Sequence, residues 1–73
     1  MRRLDADRYL LREQVQELPN GLVNRRRFIA ERRGRGRRPQ WLLVEENDAW
    51  GPRWRPIGVF ATLREAEEHS YKV

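Results

Sequence analysis

Residues 25–38 read RRRFIAERRGRGRR, eight arginines against the single acid Glu31, so fourteen residues carry +7. The flanking segments do not share this excess. Residues 1–24 hold four basic and four acidic side chains, and residues 39–73 hold four and six, giving 0, +7 and −2 for a total of +5. A block of this density repels itself unless something anionic lies against it. A polyanion or an acidic protein surface is therefore the expected partner, and nucleic acid is the commonest such polyanion. The glycine-interrupted part, residues 32–38, cannot bury itself and is expected to be a mobile Arg/Gly loop ordered by contact.

The rest of the chain has to build the fold. Seventy-three residues make one small domain, 1–73, burying only about 60% of the surface an unfolded chain exposes. With no cysteine, neither disulfides nor thiolate metal sites can staple it. No apolar run approaches the roughly 20 residues of a membrane span. The opening MRRLDADRYL lacks the apolar core of a signal peptide, so a soluble monomer in the cytoplasm is expected. Lys72 is the lone lysine beside fifteen arginines. Arginine suits phosphate and base stacking better than lysine does. A GC-rich genome would also favour arginine codons, but it does not explain the clustering.

The apolar pattern predicts an α+β fold. Residues 40–46, QWLLVEE, place Trp41 and Leu43 on one face and Leu42 and Val44 on the other, the pattern of a strand covered on both sides. Residues 56–61 form a second such run, and the intervening Asn47-Asp48, Gly51-Pro52 and Pro56 favour a turn, giving an antiparallel hairpin with a long loop. Residues 22–31 mix Leu22, Val23, Phe28 and Ile29 with arginines, which suits an edge strand. Thr62 and Glu65 form a capping-box pair ahead of a C-terminal helix over residues 63–70. For residues 6–18 two readings stay open. Leu10, Leu11, Val15 and Leu18 have helical spacing with Asp5 or Asp7 as cap, whereas Tyr9, Leu11 and Val15 share one side of an extended chain.

Catalysis is not expected. His69, Ser70 and Thr62 are the only residues of their kinds, and neighbours on a helix do not face each other, so no nucleophile and base can be assembled. Glu45, Glu46 and Asp48 are weak candidates for a hard cation, since alternation sends the two glutamates to opposite faces. Neither a metal nor a cofactor is expected. The candidate binding residues fall into two groups. Arg25, Arg26, Arg27, Arg32, Arg33, Arg35, Arg37 and Arg38 would face RNA or DNA phosphates or an acidic surface. Trp50 and Trp54 in the hairpin loop, with Leu10 and Leu11, would hold protein, because tryptophan and arginine dominate interface energetics. Trp41 reads as core, and Trp54 could equally fold back over Ile57. No zinc-finger spacing, zipper or helix-turn-helix supports sequence-specific DNA reading.

Taken together, RRRFIAERRGRGRRPQWLLVEE and AWGPRWRPIGVFATLREAEEH in a chain of this length resemble the small phage-encoded regulators of host RNA polymerase, of the kind made by a lytic Xanthomonas phage. The likeness covers the whole chain and rests on texture, with no short diagnostic motif. It implies a phage protein working in the host bacterium's cytoplasm. Such a protein binds the two large polymerase subunits, displaces the sigma factor to block initiation, and acts as an antiterminator where nascent RNA leaves the enzyme. An arginine-rich RNA-binding protein without polymerase contact is the alternative. A homodimer joining the basic segment of one copy to the acidic helix of another is a third.

Overall fold

A computed structural model describes residues 1–34, 36–48 and 54–73. Five strands and a helix follow one another: β1 (Arg2–Asp5), β2 (Arg8–Glu17), β3 (Val23–Arg33), β4 (Gln40–Asn47), β5 (Trp54–Phe60) and α1 (Leu63–Ser70). The strands form one antiparallel sheet in chain order, β1-β2-β3-β4-β5. The β4–β5 hairpin and the C-terminal helix of the expected α+β fold are present, α1 with the expected bounds.

Residues 6–18 take the extended alternative and not the helical one. A lone helix of this length is marginal in water, whereas as a strand the segment pairs on both sides, with β1 and with β3. A bulge at Leu11 gives β2 an extra residue between the pairs Leu10↔Ile29 and Arg12↔Phe28. The bulge resets the alternation. Tyr9 and Leu11 reach the helix-covered face, while Val15 turns to the opposite face and is exposed.

The edge assignment of residues 22–31 is corrected: β3 is the middle strand, bonded to β2 along one side and β4 along the other. It also continues through Arg33, so the connection to β4 starts at Gly34. An arginine-rich strand can occupy the centre because its neighbours place acids opposite it. Arg27, for instance, has Glu13 directly across on β2 and Glu46 across on β4.

One face of the sheet carries α1. Leu11, Phe28, Ala30, Leu43 and Ala66 form the buried core, with Tyr9, Trp41, Ile57, Phe60 and Leu63 packed around them. Trp41 is half-buried edge-on to Tyr9, ring centroids 5.6 Å apart, so it closes the rim of the core and does not fill its centre. Thr62 caps the helix from an extended conformation, its hydroxyl accepting from the Glu65 amide at 3.1 Å. At the other end Arg12 donates to the Ser70 carbonyl at 3.0 Å and lies between the rings of Phe28 and Tyr71.

β2 and β3 outrun the rest of the sheet. β4 ends with Asn47 opposite Arg26, yet the β2–β3 ladder continues to Glu17↔Val23. The projecting ribbon closes through Leu18 to Leu22, where Gly21 takes the left-handed conformation (φ 82°) and the Asn20 side chain accepts from the Leu22 amide. This arm helps make the molecule 48 Å long against 22 and 19 Å in its other two dimensions.

Candidate nucleic-acid and protein interface

The arginine block divides by strand parity. Even positions of β3 face the helix side. There Arg26 donates to Glu45 through Nε (3.0 Å) and Nη2 (3.2 Å) and stacks over Phe28 at 5.1 Å. Arg55 adds a third bond to the same carboxylate at 2.8 Å. Burial pushes the Glu45 carboxyl up, but the hydrogen bonds from Arg26 and Arg55 outweigh it and hold the group below the usual carboxylate range.

Odd positions face the uncovered side, where the charges interlock. Arg27 reaches Glu13 (3.3 Å), Glu46 (3.5 Å) and Asp48 (3.8 Å), Arg25 approaches Glu13 at 3.9 Å, and Arg33 meets Glu31 at 3.4 Å. Ile29 and Val44, paired across β3 and β4 on this same face, are buried although no helix covers them. Arg26 and Arg27 are half-buried among their acidic partners, whereas Arg25 and Arg33 make longer pairs and stay exposed. Within the block, four of the seven described arginines thus have an acidic partner in the chain itself.

What is left is a smaller basic site at one end of the sheet. Arg32, Arg37 and Arg38 are exposed and pair with no acid among the described residues, and Arg35 lies outside those residues. The Arg32 amide donates to the Asp7 carbonyl at 2.7 Å, which ties the β1–β2 turn beside the β3–β4 connection. Next to Arg37 and Arg38, residues Pro39, Val59 and Phe60 line a shallow concavity of about 390 Å³. Guanidinium groups beside apolar surface can grip phosphate while a sugar or base rests on the apolar part.

The protein-holding candidates fare unequally. Leu11 is 4% exposed, locked in the core by the bulge, and cannot serve as a contact. Leu10 is half-buried on the uncovered face. Trp54 does not fold back: it opens β5, pairs with Glu46 and stays 54% exposed. Trp50 lies outside the described residues. The arm contributes exposed Val15, Leu22 and Val23, which alternation alone does not single out because the bulge that exposes Val15 has no sequence signature.

His69 rests on the Phe60 ring, centroids 5.0 Å apart. Glu45 sits on the face opposite Glu46 and is occupied by two arginines, and no cluster of three metal-ligating side chains occurs among the described residues. No helix of the described residues is long and apolar enough to cross a membrane. No family model matches this chain, and neither the curated proteins nor the solved structures contain a match.

Proposed function

We propose that this chain is a non-enzymatic transcription regulator that docks on the large subunits of a bacterial RNA polymerase. In this reading it displaces the sigma factor to inhibit initiation and acts as an antiterminator beside the RNA exit region, as a phage protein in the host cytoplasm. The observation that carries it is the separation of two surfaces. The unpaired arginines sit at the β3–β4 end, while exposed Val15, Leu22 and Val23 sit on the arm at the other. A protein anchored by one surface can hold the other against phosphates. The partner's identity is supplied by the resemblance of the arginine block and the β4–β5 region to phage polymerase regulators.

The test is binding to purified core polymerase at moderate salt, with sigma factor as competitor. Wild type should bind and release sigma. Changing Val15, Leu22 and Trp54 to Ala should weaken binding, whereas changing Arg37 and Arg38 to Ala should spare binding and reduce antitermination. Absence of any complex with core enzyme would sink the proposal.

One observation favours a second reading, an RNA-binding protein without polymerase contact: Arg37 and Arg38 lie beside Val59 and Phe60 with no acid paired to them among the described residues. Salt separates the two. A phosphate-dominated complex with single strands loses affinity with a slope of about −0.7 per phosphate contacted, while a protein-anchored complex persists.

A further inference from the structure

We infer that the free edge of β2 is a docking site for an extended, basic strand of another protein, added to the sheet beside Glu13, Val15 and Glu17. β1 covers β2 only at Arg8, Tyr9 and Leu10, so beyond the bulge the outer edge of β2 has no neighbour among the described residues. Which backbone groups face outward follows from the hairpin. The Leu18 amide bonds to the Leu22 carbonyl at 2.8 Å, so Leu18 and Leu22 form a hydrogen-bonded pair. Alternation along the antiparallel ladder then makes 16↔24 and 14↔26 hydrogen-bonded pairs, and 17↔23, 15↔25 and 13↔27 non-bonded ones. The amides and carbonyls of Glu13, Val15 and Glu17 consequently point away from β3.

The same three residues share one face, the side without the helix, where they present acid, valine, acid. Glu13 already has Arg25 and Arg27 on its inner flank, but Glu17 is opposite Val23 and has no cation there. A strand laid along this edge would find backbone partners at three residues, an apolar contact at Val15 and unmatched negative charge at Glu17. That is the template for strand addition, with specificity from alternate side chains. Of the usual edge protections, this stretch has the bulge at Leu11 and the acids Glu13 and Glu17, which would repel an acidic strand and admit a basic one, but no Lys or Pro occurs between Leu11 and Glu17. A second copy fits less well: antiparallel pairing that sets Val15 against Val15 also sets Glu13 against Glu17 twice, like charge on like. The proposal does not depend on whether the protein that brings the strand is a polymerase.

The probe is a short capped peptide in which Lys alternates with Val, compared with one carrying Glu in place of Lys. Because the chain bears +5 overall, bulk electrostatics favour the Glu peptide, so preference for the Lys peptide would be a local effect. The expected result is selective binding of the Lys peptide, with the amides of Glu13, Val15 and Glu17 newly protected from hydrogen exchange. Val15→Pro removes one outward amide without touching the β2–β3 bonds and should weaken binding about tenfold with little change in melting. Glu17→Lys, which leaves the backbone intact, should reverse the charge preference. Equal or absent binding of the two peptides, or unchanged preference in Glu17→Lys, would overturn the inference. So would concentration-dependent protection of the same amides without peptide, which would mean self-pairing.

Discussion

Arg26 grips Glu45 through two parallel hydrogen bonds, and the carboxylate so held is 1% exposed. The residues lie diagonally across β3 and β4, since Arg26 is opposite Asn47 and Glu45 is opposite Phe28. The most basic segment of the chain thus turns one of its arginines, half-buried, onto the helix side, where it satisfies a buried acid and lies over the Phe28 ring.

Replacing Glu45 by Gln should cost about 2 kcal/mol near neutral pH, read from denaturant unfolding, because charge-assisted bonds are removed while Arg26 and Arg55 keep partial access to water. The effect should depend on pH in a defined direction. The folded-state pKa of Glu45 lies below its ordinary value of 4.5, so its contribution is complete above about that pH and is lost as pH falls through the depressed value. Wild type and Glu45→Gln should converge in stability on acidification. A constant difference down to strongly acid pH would contradict this account.

Thr62→Ala removes the side-chain acceptor for the Glu65 amide and should lower stability by about 1 kcal/mol, seen as a lower melting temperature. Thr62→Ser should recover most of it, because the hydroxyl makes the bond.

Arg12 clamps the end of α1 by donating to the Ser70 carbonyl and lying over the Tyr71 ring at 4.9 Å. Arg12→Ala should destabilise the chain by about 1–2 kcal/mol and release the C-terminal turn, raising amide exchange at Tyr71 and Lys72. Arg12→Lys should not restore it, since an ammonium lacks the planar face that spans two rings.

The two populations of arginine should separate experimentally. Arg37→Ala and Arg38→Ala should leave melting unchanged and reduce the salt slope of single-stranded nucleic-acid binding by about 0.7 for each phosphate no longer neutralised. Arg27→Ala should lower stability, because Glu13, Glu46 and Asp48 are deprived of their common cation, and should leave the slope where it was. Equal effects of all three on the slope would mean that β3 itself faces phosphate.

The parts legible in the sequence are those with short-range signals. The Thr62–Glu65 spacing locates the helix start, and the two-faced apolar run Trp41 to Val44 locates β4. Nothing comparable marks residues 6–18. Leucine spacing there fits a helix, and the bulge at Leu11 that makes a strand workable has no signature of its own. The same bulge buries Leu11, a contact candidate by its apolar character, and exposes Val15, which spacing places with the core.

The sequence by itself determined that the chain carries a local excess of arginine, that no cysteine staples it, and that a hairpin and a capped helix close its second half. Only the tertiary structure decided which arginines have acids beside them. Charge along a chain is a sum, but the field a partner meets depends on distance and on which acids lie in register across the sheet. Glu13 comes from one neighbouring strand and Glu45 and Glu46 from the other, and the pairing of β2, β3 and β4 brings them against Arg25, Arg26 and Arg27. Within the block, the described arginines left without an acid are Arg32, beyond the last β2–β3 pair Arg8↔Glu31, and Arg37 and Arg38 in the β3–β4 connection, where no neighbouring strand sets an acid in register.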